Sequence, residues 1–492
     1  MQKLWFQSGW IGSVGLGIAV GVAYLVAAHL SLTLLTKPGC VAVFWPAAGI
    51  ASGTLIALGP KARLPITLAV LVASVAVSLL GGYSFPAAIV FALCNAGEAL
   101  VVASLISQRF GTDFALDSLR NVLGFFAAAA VGPALSGIVA TAGFVLFYNS
   151  TAPVPTTWLN WFASDALGIV MAAPLLIGLG GLRRDLPERW ELTEGTLTLA
   201  TLTVVSVITF GSSTHHWWHI VLPLGLLLPA LLAAHCRPTF AAAAILILGC
   251  AVVWSTAFGI GELGEIQSLP DRAFAARATL LAIATFTLIL AALFAERRHS
   301  EAALRSSNNR LQLALGGAEL GVWSLDTRTG HFESDARDGQ IHGYPPEAPP
   351  PRTLAEARSF IHPDDLSVLD AVFAASKRTG GRCKIEYRLA PTAGGANLYQ
   401  ERWVALEGTV LRDANGQSGQ LLGVTRDVTL HKHAERVLAD RNLQLALAGK
   451  FALIGTYAYD VGSERYQVSP GYAAIHGLPE GTEETSRAEC IV

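Results

Sequence analysis

Glu98 and Asp165 are carboxyl residues in otherwise apolar text, within Asn95-Ala-Gly-Glu98 and Trp161-Phe-Ala-Ser-Asp165. An ionisable side chain in such surroundings is costly unless it faces a protein interior or an aqueous cavity. Two readings stand side by side. Glu98 and Asp165, with Asn95 one turn before Glu98, line a ligand or ion site. Alternatively they hydrogen-bond between helices or sit near an interface. The run His215-His216-Trp217-Trp218-His219 has histidines at helical i, i+4 spacing, which could share a metal. A Trp pair is also what a membrane-interface belt contains. No relay of carboxylates accompanies these groups, which weakens a pump or transporter reading.

Other reactive residues carry little pattern. The cysteines Cys40, Cys94, Cys236, Cys250, Cys383 and Cys490 stand singly. Neither a zinc site nor a disulfide framework follows from that spacing, and packing as small apolar residues is the simpler role. His342, His362, His431 and His433 are single histidines, better read as surface or motif residues than as haem ligands. No cofactor is specified: an Asn-Cys-Arg flavin core is absent from the text and a haem is not expected. The sequence has no phosphate-binding glycine loop, no ATP lid and no Gly-Gly-Asp/Glu-Glu-Phe cyclase signature.

The elements that position these residues follow from charge and hydropathy. The chain has 492 residues and a net charge of −2, so no basic surface points to nucleic acid. Residues 1–295 hold 12 Lys+Arg and 11 Asp+Glu, whereas residues 296–492 hold 22 and 25. The break falls at Glu296-Arg297-Arg298. The first part has the composition of a membrane bundle and the second that of a water-soluble protein.

A bilayer core needs about 20 apolar helical residues per crossing. Candidate spans are 10–35, 41–59, 64–80, 86–107, 119–148, 158–180, 196–212, 217–234, 239–258 and 274–295. The first is too long for a cleaved leader and reads as a retained helix. Lys3, Lys61, Arg63, Arg109, Arg183, Arg184, Arg189, Arg237, Arg297 and Arg298 fall on one side of a ten-span arrangement. The segments 81–85, 149–157 and 213–216 on the other side hold no Lys or Arg, whereas 36–40 has Lys37 and 259–273 has Arg272 against Glu262, Glu265 and Asp271. The positive side is cytoplasmic, so both ends of the bundle are expected inside the cell. An eight-span arrangement leaves two shorter segments out of the membrane.

Beyond the bundle, Leu304, Leu311 and Leu315 mark one stripe of a helix, which suits a short dimeric coiled coil or a helix packed on the next domain. The soluble part repeats. Leu311-Gln-Leu-Ala-Leu315 returns as Leu443-Gln-Leu-Ala-Leu447. Gly321-Val-Trp323-Ser-Leu-Asp326 returns as Gly455-Thr-Tyr457-Ala-Tyr-Asp460, and Ile341-His-Gly343 as Ile475-His-Gly477. One unit is about 130 residues, so the second copy, of roughly 50, is expected to be truncated. Strands are expected at Gly321–Leu325, Cys383–Leu389, Glu401–Leu411 and Gln420–Val428, with a hairpin turn at Asp413-Ala-Asn-Gly416 and a helix over Asp364–Ser376. This is an antiparallel sheet with helices on one side, an α+β unit. Asp364 is placed to cap the helix after Pro363, and Asp427-Val-Thr429 to join the last strand to an outgoing helix.

Phe44-Trp45-Pro46-Ala-Ala-Gly49 with Leu-Gly-Pro-Lys-Ala-Arg63, and Trp161-Phe-Ala-Ser-Asp165-Ala-Leu-Gly168 with Pro174, resemble the bacterial membrane-associated sensor (MASE) family, type one. Trp323 and Asp326, His342-Gly343, Ile361-His362-Pro-Asp364-Asp365, Glu386-Tyr-Arg388-Leu389, Arg402-Trp403 and Gly423-Val-Thr-Arg-Asp427-Val-Thr429 resemble the third profile subfamily of the PAS fold with its PAC ending. The resemblance implies a polytopic α-helical sensor bundle over 1–295 and a linker or signalling helix over 296–320. It further implies a PAS/PAC domain over 311–435, then a linker helix and partial second PAS domain over 436–492. It implies a five-stranded antiparallel sheet and signal relay through these signature residues. The expected function is the input portion of a bacterial inner-membrane sensor histidine kinase, dimeric, answering an unidentified small molecule or ion and acting on a response regulator. A diguanylate cyclase output and a transporter with a regulatory tail are the alternatives. No catalytic or metal-binding residue is assigned.

Overall fold

The computed structural model describes residues 9–33, 44–148, 153–182, 186–211, 218–258, 260, 266, 268–344, 349–391, 401–412, 418–452 and 454–486. The chain divides into two compact units, Met1–Leu304 and Arg305–Val492. His215, His216, Trp217 and the expected turn at Asp413–Gly416 lie outside the described residues, as do Cys40 and Cys490.

The first unit is all helix: α1 Gly9–Thr33, α2 Pro46–Leu58, α3 Arg63–Leu80, α4 Phe85–Phe110, α5 Leu119–Tyr148, α6 Val154–Gly181, α7 Arg189–Gly211, α8 Trp218–His235, α9 Pro238–Phe258 and α10 Leu269–Gly317. Eight of the described helices are long and apolar enough to cross a membrane. The expectation of ten spans therefore holds only approximately. α2 is apolar but shorter, at 13 residues. A 13-residue helix is about 20 Å long, short of a hydrocarbon core of about 30 Å.

The packing of α2 accounts for its length. It is enclosed by protein, with Ala47, Ala48, Ala51, Leu55 and Ile56 all buried. The Trp45 amide donates to the Ser164 carbonyl at 3.0 Å. Gly49 faces the Gly168 backbone, and Gly168 faces the Trp45 carbonyl, so closely that a Cβ on either would collide with main chain. A Cβ on Gly53 would lie 2.7 Å from the Ala173 Cα. Small residues let backbones approach in this way inside a bundle. The motifs around Gly49 and Gly168 are thus the two halves of one contact. Irregular chain beside α2 is tolerable because protein, not lipid, surrounds it. On α1, by contrast, Val14, Ile18, Val22 and Val26 form an exposed i, i+4 stripe suited to lipid.

The boundary between the units falls within α10, whose 49 residues extend about 74 Å. Leu304 and Leu311 on it are exposed, and Leu315 is half-buried.

In the second unit, β1 Gly321–Asp326, β2 Phe332–Ser334, β3 Arg382–Arg388, β4 Trp403–Arg412 and β5 Ser418–Asp427 form an antiparallel sheet in the order β2-β1-β5-β4-β3. Alternation is clean on β3, where Cys383, Ile385 and Tyr387 point into the core. Three helices accompany the sheet: α11 Ala336–His342, α12 Leu354–Arg358 and α13 Leu366–Thr379, which buries Leu369 and Phe373. α11 ends on Gly343, whose φ of 73° is the left-handed cap a glycine adopts readily. Trp323 stacks between Phe332 and Phe373, with ring centroids 6.3 and 5.9 Å away. Gly408 and Gly423 make room for its indole.

After α14 Thr429–Phe451, the strands β6 Tyr457–Asp460, β7 Arg465–Val468 and β8 Glu484–Ser486 form a second sheet, with α15 Pro470–Ile475 after β7. The repeat read from sequence reappears as register. Trp323 pairs with Ser334 and Tyr457 with Val468. Gly321 abuts the Asp338 backbone and Gly455 abuts that of Tyr472. Every member of these pairs is offset by 134 positions.

Candidate functional site

Two groups of polar residues stand out, one in each unit. In the first unit, Glu98, Asp165 and Asn95 are 3%, 4% and 8% exposed. Glu98 lies 13 residues into the 26 of α4, about 20 Å from its start and half-way along a helix long enough to cross a membrane. Its carboxyl adjoins that of Asp165 from α6. Glu98 Oε2 also accepts from the Ser136 hydroxyl on α5, and Trp161 Nε1 donates to Ser136 Oγ at 3.2 Å. Asn95 Nδ2 donates to Ser74 Oγ on α3 at 2.8 Å. Tyr24 on α1 is fully buried beside them, its hydroxyl without a hydrogen-bond partner. The structure therefore brings together all three intramembrane residues picked from sequence. Sequence reasoning missed Tyr24, Ser74 and Ser136, because hydroxyls in apolar helices are too common to single out. Asn95 Oδ1 and Asp165 Oδ2 are buried without partners.

An aromatic column leads away from this centre. Trp161 packs 5.8 Å from Phe91, Phe91 packs 5.4 Å from Tyr83, and Tyr83 packs 5.6 Å from Tyr148 at the end of α5. Among the described residues no cluster of His, Cys, Asp and Glu is arranged to hold a metal.

In the second unit a small cavity of about 30 Å³ lies beneath the sheet, with room for one or two waters. Its walls are Phe332, Ile361, Leu369, Phe373 and Leu406, with a polar group at one end. Asp338 is 0% exposed and accepts from Thr425 Oγ1 at 2.5 Å. His342 Nδ1 lies 2.9 Å from the Asp338 carbonyl, and His342 Nε2 lies 2.7 Å from the Tyr387 hydroxyl. Burial, reinforced by the Asp338 charge, pushes the Tyr387 phenol well above its ordinary range. Asp338 Oδ2 has no partner. His342 is thus a buried core residue, not a surface one. Asp338, Tyr387 and Thr425 were not foreseen, although helical i, i+4 spacing from Asp338 to His342 and the inward phase of β3 would have pointed to two of them.

The PAS signature residues separate into roles. Trp323 belongs to the core. Asp326 shapes a turn: its Oδ1 accepts from the amides of Arg328 and Thr329 at 2.8 and 3.0 Å, which holds the carboxyl below its usual range. The expected cap by Asp364 is not formed. His362 caps the 3₁₀ turn Pro363–Asp365 instead, accepting from the Asp364 amide at 3.3 Å. A carboxylate within the turn, rather than before it, has no free amide to meet. Asp365 turns to Arg388, accepting from its amide at 2.8 Å and from its guanidinium at 3.0 and 2.7 Å.

The remaining signature residues converge on the first turns of α14. Lys432 Nζ is 2.7 Å from Glu386 Oε2. Arg388, Lys432 and Arg436 each lie 5.6–5.9 Å from the Trp403 ring centre, in cation–π positions. Asp427 Oδ1 accepts from the Thr429 amide at 2.9 Å, closing the strand-to-helix junction as expected. The Trp403 amide donates to Thr429 Oγ1 at 2.9 Å. Sheet and outgoing helix are therefore joined by charge, ring and main chain at once.

A family model described as MASE1 matches residues 16–299, and one described as PAS fold matches residues 334–425. A blue-light-activated histidine kinase of Brucella anthropi is 28% identical over 154 residues, 31% of this chain and 29% of that protein. The two-component sensor PprA of Pseudomonas aeruginosa is 28% identical over 174 residues, 34% of this chain and 18% of that protein. This chain thus spans under a third of either relative's length. A solved sensory box histidine kinase/response regulator from Burkholderia thailandensis is 28% identical, covering 28% of this chain and 98% of that one, with a TM-score of 0.24.

Proposed function

The chain belongs to the MASE1 family, and from that premise we propose that it is the sensory input portion of a dimeric membrane histidine kinase that acts on a response regulator. The observation that carries the proposal is the order of parts: a buried polar centre in a membrane bundle, a helix of 49 residues leaving it, and a PAS fold whose signature residues grip the next helix. That order suits a receptor in which occupancy at the bundle biases helix packing downstream. A ligand achieves this by binding one of two arrangements more tightly, and a few kcal/mol of difference suffices. The curated relatives named above, a histidine kinase and a two-component sensor, support the kinase reading. The Lys and Arg residues facing one side support a cytoplasmic PAS fold and an inner-membrane location.

The test is phosphotransfer by the complete gene product in inverted inner-membrane vesicles. The expected result is an acid-labile, alkali-stable phosphohistidine formed from ATP, passed on to a response-regulator aspartate. Formation of a cyclic dinucleotide from GTP, with no labelled protein, would overturn it.

A further inference from the structure

The polar centre of the bundle has more acceptors than donors. Glu98 and Asp165 supply four carboxyl oxygens and Asn95 one amide oxygen. The donors around them are the Ser136 hydroxyl, which serves Glu98, the Asn95 amide, which serves Ser74, and the buried hydroxyl of Tyr24, which has no partner. Asp165 Oδ2 and Asn95 Oδ1 remain without partners, in residues 4% and 8% exposed. The titratable groups near the pair are Tyr24 from α1 and Cys94 from α4, a phenol and a thiol that carry no positive charge in either protonation state. The packed neighbours contribute Ser74 from α3, Ser136 from α5 and the Trp45 end of α2, none of them charged. Among the described residues no Lys, Arg or His is hydrogen-bonded or ion-paired to either carboxyl.

Two adjoining buried carboxyl groups inside lipid cannot both stand bare, because close like charges repel strongly in a low dielectric. One positive charge must be shared between them. The Trp161-to-Ser136-to-Glu98 donor chain supports Glu98 as the anion, which leaves the added charge on the Asp165 side, beside the unpartnered Oδ2. All the atoms able to meet it are oxygens, the donor type that hard monovalent cations prefer.

We propose that Glu98 and Asp165 form an exchangeable site for one small monovalent cation, a proton or an alkali-metal ion in its place, and that its occupancy is the input of the sensor. The second clause rests on the receptor reading above; the first does not.

The site is tested on the full chain in lipid nanodiscs by infrared difference spectroscopy. Wild-type protein is expected to show the carbonyl stretch of a buried, protonated carboxylic acid that disappears as pH rises. Asp165→Asn and Glu98→Gln, each of near-identical shape, are expected to abolish the titrating band while circular dichroism shows unchanged helix content. A titration unmoved by NaCl against choline chloride identifies the proton as the occupant; loss of the band on adding NaCl or KCl at fixed pH identifies the alkali ion. Absence of the band in wild type at every pH and salt, or its persistence in both variants, overturns the proposal. Phosphorylation of the complete gene product is then read across the same pH and salt series. Constant phosphorylation with a titrating band would refute the receptor role and leave the site standing.

Discussion

Glu386 on β3 accepts the ammonium of Lys432 on α14 at 2.7 Å, so the PAS sheet holds its outgoing helix by a charge pair beneath the face of Trp403. The Glu386 carboxylate raises the basicity of the lysine accordingly. Glu386→Gln is expected to speed hydrogen exchange of residues 429–437 while leaving the strands 403–412 and 418–427 unchanged. Trp403→Ala should do so more strongly, because three cations lose one ring. Equal exchange in both variants and wild type would show that this junction does not hold the outgoing helix.

Arg388 holds the Asp365 carboxyl below its usual range, chiefly through the guanidinium hydrogen bonds. A depressed carboxylate stabilises the folded state above its unfolded value, about 3.9, and that contribution disappears as pH falls through the lower folded value. Wild type should therefore keep protection of residues 362–389 down to a lower pH than Asp365→Asn, which lacks the contribution throughout. Identical acid profiles would contradict the pairing.

Tyr387 offers the opposite sign. Its phenol is raised by burial, so the stabilising contribution is present below the ordinary tyrosine value of about 10 and is lost as pH climbs through the raised one. Tyr387→Phe removes the partner of a buried imidazole nitrogen and should cost about 1–3 kcal/mol, measured as a lowered melting temperature of the PAS unit.

Gly423 admits the Trp323 indole beside the sheet. Gly423→Ala should destabilise the PAS unit by about 1–3 kcal/mol through overpacking, and Trp323→Leu in the same chain should recover part of the loss. Additive losses would show that the two residues do not compete for one space.

The alternation of β3 and β4, the apolar lengths of α4 to α6 and the internal repeat are all legible from residue types alone, since each is a local pattern. The carboxyl pair was legible as two costly residues, yet nothing in the spacing of Glu98 and Asp165, 67 positions apart, says that they touch. That depends on how α4 and α6 pack around α2 and α5. The length of α2 was misjudged for the same reason: apolar text reads alike whether lipid or protein surrounds it. Asp338 escaped notice because an aspartate beside Arg337 ordinarily marks a solvated face, and only β5 crossing above it with Thr425 buries it.

Arg298 on α10 donates to the carbonyls of Ala234 and Cys236 at the end of α8, at 2.6 and 2.9 Å. A cation at a helix C-terminus also meets the negative end of its dipole. Arg298→Ala should loosen α10 where it leaves the bundle, seen as faster exchange over 293–304, whereas Arg298→Lys should retain part of the protection.

The account stands on a bundle threaded through lipid with its PAS fold in the cytoplasm, and alkaline phosphatase fusions at 83, 153 and 298 address both at once. High activity at 83 and 153 with none at 298 is predicted. Activity at 298 would place the PAS fold outside the cell and contradict the account.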